Sequence, residues 1–211
     1  MPHFRIEDIN KMQHLYRINL INSCSGYKSA NLIGTKSSEG ISNVAIFSSV
    51  THIGSDPALL GFFLRPTTVI RNTYDNIKET GYFTINHIHE SILQDAHHTS
   101  AKYESNISEF NVTELEEDYK SGFHAPFVKN SPVQMAMTYV EEYPINANGT
   151  ILLIGAIKDL YLQDNLLGQD GFVNLSEANV VAINGLDGYA MPKLKTRLDY
   201  QRPKKLSYLK T

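Results

Sequence analysis

Between Ala30 and Leu64 the apolar residues come in three short runs, each closed by turn-forming residues, and no other feature restricts the fold of this chain as much. Ala30 to Thr35 ends in Lys36-Ser-Ser-Glu-Gly40, Ser42 to Ser49 is followed by Gly54-Ser-Asp-Pro57, and Leu59 to Leu64 runs into Arg65-Pro66. Runs this short suit strands better than helices, and turns this tight join antiparallel neighbours. A second signal of the same kind lies downstream. Val133 to Tyr143 and Thr150 to Leu162 flank the hairpin dipeptide Asn148-Gly149, with Pro144 and Asn146 allowing a longer loop. Val133, Met135, Met137 and Tyr139 alternate onto one face of the first arm, and Ile151, Leu153, Gly155 and Ile157 onto one face of the second.

Helical signals are fewer. Asn72 opens a short pattern with Asp75 in its first turn, Ile77 on its apolar side and Gly81 just past its end. Tyr82 to Asn86 reads as a strand and Ser91 to His98 as a second short helix, whereas residues 104–132 are polar enough for a long loop with local order. After Leu162 the pattern becomes irregular, with Gly168, Gly171, Gly185 and Gly188 around an apolar Val180-Val-Ala-Ile183. Five or six short strands, two inserted helices and no βαβ alternation favour a mainly β fold, a small barrel, over a doubly wound sheet.

With 211 residues, 42% hydrophobic and 19% charged, the chain has the composition of one folded domain with extensions. A net charge of -3 argues against general nucleic-acid or membrane-surface binding. The single cysteine, Cys24, excludes an intrachain disulfide, a four-Cys zinc site and a CxxC pair, and is read as a buried or idle thiol. The chain shows neither a basic-then-apolar leader nor an apolar run of bilayer length, so a cytoplasmic protein is expected.

Familiar catalytic signatures are missing: no GxGxxG after a strand, no GxxxxGK[ST], no HExxH and no GxSxG. His87-Ile-His89 and His97-His98 raise metal binding, but a site needs three or four converging donors, and adjacent helical histidines diverge by about 100°. No metal is expected. The region around Asn43 to Thr73 is more informative. Leu64-Arg65-Pro66-Thr67-Thr68 ends a strand with a cation and hydroxyls, and Arg71-Asn72-Thr73 opens a helix. A phosphate monoester is held by such cations, hydroxyls and free helix-start N–H groups. The same residues also suit a simple helix cap and a surface ion pair.

In order and spacing, Asn31-Leu-Ile-Gly-Thr35, Asn43-Val-Ala-Ile-Phe-Ser-Ser49, Asp56-Pro57, Asn72-Thr-Tyr-Asp-Asn-Ile77 and Thr80-Gly-Tyr-Phe-Thr-Ile-Asn86 resemble the flavin reductase-like family of FMN-binding split barrels, which includes flavoredoxin-type proteins. The resemblance covers roughly residues 25 to 160. It implies a six-stranded antiparallel split β-barrel with short inserted helices and an irregular C-terminal extension. An N-terminal extension (1–24), a barrel domain (25–162) and a C-terminal extension (163–211) follow from it.

The resemblance also implies a homodimer with FMN at the mouth of each barrel. By position, Phe47, Ser48 and Ser49 lie along the flavin ring edge, Arg65, Arg71, Asn72 and Thr73 surround the phosphate, and Ser100, Ala101 and Tyr103 form a second flavin-contacting segment. The implied activity is hydride transfer from NADH or NADPH to FMN and on to flavin or another acceptor, with no catalytic side chain required. Many family reductases carry a His shortly before the Gly of the last long strand, and an acidic residue after it. This chain has Thr150-Ile-Leu-Leu-Ile-Gly155-Ala156, which favours the alternative of an FMN-binding electron carrier without nicotinamide activity. Split barrels of this kind also serve heme and F420, a third alternative. The basic tail from Lys193 to Lys210 reads either as a cover over flavin or nucleotide phosphate, or as a solvated terminus or dimer strap.

Overall fold

The computed structural model describes residues 1–69 and 71–203 of the chain. Two helices the sequence pattern did not announce come first, α1 (Ile6–Lys11) and α2 (His14–Cys24), and neither contains a buried residue. Their apolar residues follow no helical stripe, which is why periodicity misses them. Cys24 at the end of α2 is exposed, correcting the expectation of a buried thiol.

Next come β1 (Tyr27–Ser29), β2 (Asn31–Lys36), β3 (Ser42–Phe47), β4 (Thr51–Ser55) and β5 (Ala58–Leu64). The helix α3 (Asn72–Thr80) ends at Gly81, whose φ of 77° is the left-handed cap that glycine supplies most readily. After it lie β6 (Tyr82–His87), a 3-10 turn (Glu90–Ile92), α4 (Leu93–His98), and the short β7 (Glu117–Asp118) and β8 (Phe127–Val128). The long hairpin β9 (Val133–Ile145) and β10 (Thr150–Leu162) turns through residues 146–149, and β11 (Ala182–Asn184) and β12 (Gly188–Ala190) close the series.

Seven strands pair antiparallel in the order β3-β2-β6-β9-β10-β5-β4. The seventh, β4, occupies the stretch where sequence placed only a turn. Thr51–Ser55 carries few apolar residues because it is an edge strand and mostly exposed. The outermost strands β3 and β4 are consecutive in the chain, joined through residues 48–50. Seven flat strands would separate those edges by about 29 Å. The connector, four residue steps from Phe47 to Thr51, spans about 14 Å at most. The sheet therefore curls on itself, and this curl is the split barrel expected from the sequence.

Alternation then sorts the core. Ile33, Phe62, Phe83, Ile85, Met137 and Leu153 point inward and are fully buried, with Phe62 edge-on to Phe47 (5.0 Å) and to Phe83 (5.7 Å). Leu32 and Val44, one step out of phase, pack outside against Ala96, Phe110, Leu115 and Ile183. Gly155 faces Phe83 so closely that a Cβ there would lie 2.5 Å from the ring, so glycine fits where a larger residue would displace a core aromatic. Val173, Leu175 and Ala178 of the C-terminal region cover the barrel interior, and β1, β11 and β12 form a small separate sheet beside it. Residues 104–132 hold a 3-10 turn and β7–β8, the local order expected of that loop. Among the described residues, no helix is long and apolar enough to cross a membrane.

Candidate functional site

As an edge strand, β3 has one side unpaired along the sheet. Val44 N–H points to that side and donates to Glu109 Oε2 (3.1 Å), so by alternation the backbone groups of Ile46 also face outward. Burial raises the carboxyl pKa of Glu109, and the Val44 N–H works against that rise. Phe47 ends the strand with its ring in the core. The hydroxyl of Ser49 accepts from Phe63 N–H (3.0 Å) and donates to Phe63 C=O (3.1 Å), stitching the connector to β5. Only the backbone of Ser49 is left for a ligand; Ser48 beside it is half-buried.

The start of α3 approaches the other end of β3. Asn43 and Thr73 are both buried, with the amide of Asn43 3.1 Å from Thr73 Oγ1. Turning the amide so that its nitrogen faces Glu109 Oε2 (3.3 Å) and its oxygen faces Thr73 satisfies all three groups. Asn76 donates to Thr35 Oγ1 (3.0 Å), fixing the helix to β2. Arg71, rather than Asn72, is the N-cap residue, and no side chain caps the helix, so its first N–H groups are left to another partner. Arg71 Nε is buried and makes no hydrogen bond. Arg65 is exposed, and among the described residues neither arginine joins a salt bridge.

Asn72 lines a cleft of about 210 Å³ with Asn43, Asn76 and Ser105, and Glu39 and Asp75 lie on the same walls. Those two carboxylates make the cleft poor ground for an anion, which leaves the Arg71 side of the helix start as the cationic one. Ser100 and Ala101 sit on the exposed turn after α4 and Tyr103 is half-buried, its hydroxyl 2.6 Å from His98 Nε2. The structure thus gathers Asn43, Asn72 and Thr73 at one end of β3 and Phe47, Ser48 and Ser49 at the other. Ser105, two residues after Tyr103, lines the same cleft, while Arg65 is exposed.

The histidines do not converge. His97 Nδ1 pairs with Tyr189 OH (2.8 Å) and His89 Nδ1 with Ser91 Oγ (3.0 Å), and among the described residues no three His, Cys, Asp or Glu side chains could hold a metal ion. Of the tail, Arg197 bonds Asp170 (2.6 Å) and stacks on Phe172 (4.1 Å); Lys204, Lys205 and Lys210 lie outside the described residues. Sequence reasoning did not assign Glu109 to the site. Glu109 was legible only as an acidic residue in a polar stretch.

The model of the "Flavin reductase like domain" family matches residues 26–177. A split-barrel protein from Shewanella frigidimarina, designated a flavin reductase, superposes with a TM-score of 0.92 at 45% identity, covering 95% of this chain and 100% of its own. Nitrilotriacetate monooxygenase component B from Bacillus cereus reaches 0.81 at 19% identity over 94% of this chain and 98% of its own. An FMN-binding protein from Thermus thermophilus reaches 0.72 at 13% identity over 94% and 100%. The last two share the fold. With a family match spanning most of its length and a split barrel to carry it, the chain belongs to the flavin reductase-like family, a family of flavin-linked oxidoreductases.

Proposed function

We propose that the protein is an FMN-dependent oxidoreductase that accepts hydride from NADH or NADPH and passes electrons to free flavin or another acceptor. The observation that carries the flavin assignment is Arg71: a buried guanidinium nitrogen without a partner, beside an uncapped helix start, is a cationic donor set awaiting an anion. The second support is spacing. Thr73 touches Asn43, and the flavin-ring residues start at Phe47, four strand residues away, a separation of about 14 Å. FMN laid along β3, its ribityl phosphate chain together with the near part of its ring, connects two such ends.

In this reading Arg71, Asn72 and Thr73 N–H groups hold the phosphate, with Arg65 adding long-range attraction. The outward backbone of Ile46 and Ser48 meets the polar edge of the ring, and Phe47 and Ser49 fix the connector that presents them. When bound, FMN supplies the hydride-accepting ring; the protein supplies position and exclusion of water, so no catalytic side chain is needed. A homodimer completes the proposal. Among the described residues, the helices α1 and α2 leave Ile6, Leu15, Tyr16 and Ile21 exposed, and a second copy would cover them.

The second reading, an electron carrier without nicotinamide activity, is favoured by Ile154-Gly155-Ala156, where the family reductases place a His and an acid. Anaerobic mixing of the FMN-loaded protein with NADH or NADPH separates the two. Bleaching of the flavin band supports the reductase; a band unchanged by either nucleotide leaves the carrier.

A further inference from the structure

Strand register sets a row of polar groups at one end of the barrel interior. Asn31 of β2 lies opposite Phe47 of β3 on one side and His87 of β6 on the other. Asn31 and His87 share the inward faces of Ile33 and Ile85, two residues away on each strand. Asn31 is fully buried with neither amide atom bonded, and His87 Nδ1 is likewise buried without a partner. Three buried polar atoms without a partner thus fall on two side chains that face each other across β2 and β6, and such unsatisfied groups mark a place where water or a ligand binds.

His87 also lines a pocket of about 190 Å³, walled by Tyr27 to Ser29 of β1 and the following Ala30, by Leu175 and Ser176, and by Val180 to Ala182. The other polar side chains of the lining are already engaged or face solvent. Lys28 Nζ turns away to Asn22 C=O (3.2 Å) and Ser25 Oγ (3.0 Å). Ser29 Oγ donates to Val50 C=O (3.1 Å), Ser176 Oγ bonds Pro192 C=O and Leu194 N–H, and Tyr27 is exposed. One imidazole is left as the polar contact in an apolar chamber. Burial drives its pKa down to about 4, so near neutrality it is uncharged and offers one donor and one acceptor.

We propose that this pocket binds an uncharged, planar ring bearing a carbonyl or carboxamide oxygen, with His87 as the residue that selects it. Size sets the class: a cavity of about 150 Å³ accepts benzene, whereas pockets for drug-sized molecules start near about 300 Å³. The chamber therefore takes one ring or a compact pair, and a flavin or dinucleotide could place only one of its rings there, with the rest outside. A charged ligand would be desolvated against apolar walls without a counter-ion. Through the Ser29–Val50 bond the pocket adjoins the connector that carries Ser48 and Ser49. The ring's role as a redox partner of the flavin rests on the FMN reading, but its binding does not.

The test is an NMR titration of the FMN-loaded full-length protein with benzamide, with benzoate as the charged control. Benzamide is expected to shift amides of residues 27–30, 175–176 and 180–182, and benzoate to leave them unmoved. His87→Leu should weaken benzamide about three- to tenfold, the worth of one neutral hydrogen bond, and His87→Gln should restore part of it. Unchanged affinity in His87→Leu, or shifts confined to other residues, overturns the proposal. Ala182→Phe fills the chamber from β11 and should abolish binding, so it decides the matter even where the His87 variants do not fold. Displacement of benzamide by NADH assigns the ring to nicotinamide, and failure to displace it assigns the pocket to a free cyclic carbonyl compound. Repeating the titration without flavin separates the two readings: benzamide binding in a protein that cannot take up FMN sinks the flavin assignment alone.

Discussion

Lowering the pH from 7 to 5 should destabilise this protein through His87 more than through any exposed histidine. Its imidazole titrates near 6.5 when unfolded and at about 4 when folded, the difference caused by burial. Because the folded pKa is the lower one, the unfolded chain binds the extra proton between those values. Stability is therefore full above about pH 6.5 and is lost as pH falls towards about 4. The whole shift is worth roughly 3 kcal/mol, of which about 2 kcal/mol falls between pH 7 and pH 5. With a urea slope of about 2 to 3 kcal/mol per molar, that moves the midpoint by roughly 0.7 to 1 M. Urea unfolding at both pH values, at fixed protein concentration and flavin load, gives the number, and His87→Gln subtracts every other titrating group. The variant should lose less stability than the parent by that amount. Equal losses in both proteins would refute the burial of a neutral imidazole at this position.

Gly155→Ala should force the Phe83 ring from its place and cost about 1 to 3 kcal/mol, read as a fall in Tm of about 2 to 4 °C per kcal/mol; an unchanged Tm would mean that the barrel interior repacks freely. Asn43→Ala strips Thr73 and Glu109 of their shared partner and should cost about 1 to 3 kcal/mol in urea unfolding, with Asn43→Asp no substitute, because it sets a second carboxylate beside Glu109. Cys24 should react with Ellman's reagent at one thiol per chain in native buffer, and reactivity that appears only in denaturant would place it inside the fold.

The parts of the fold that were legible in the sequence are those where one face is buried and the other is not. Val133, Met135 and Met137 announce the inner face of β9 because the pleat forces alternation, and Gly81 announces the end of α3 because its φ of 77° is strained for other residues. β4 was hidden because an exposed edge strand has no buried face to show, and α1 and α2 because, among the described residues, neither has a fully buried side chain. At the site, the order of the motifs pointed to Arg71, Asn72 and Thr73; Arg71 is the N-cap residue of an uncapped helix start, whereas Thr73 spends its hydroxyl on Asn43. Ser49 likewise spends its hydroxyl on Phe63. Contacts of this kind depend on which strand lies beside which, and local composition does not carry that information. The Asn31–His87 row depends on register across three strands, so it becomes visible only when β2, β3 and β6 are set side by side.

The central claim, that the start of α3 and the free edge of β3 hold FMN, is tested most directly by reconstituting the purified protein with FMN and measuring affinity by flavin fluorescence, alongside Arg71→Ala. The account predicts one FMN per chain and an affinity about 10- to 100-fold weaker in the variant, the worth of a charge-assisted bond to phosphate, with an unchanged far-UV spectrum. A protein that takes up no FMN, or an Arg71→Ala variant that holds it as tightly as the parent, would contradict it.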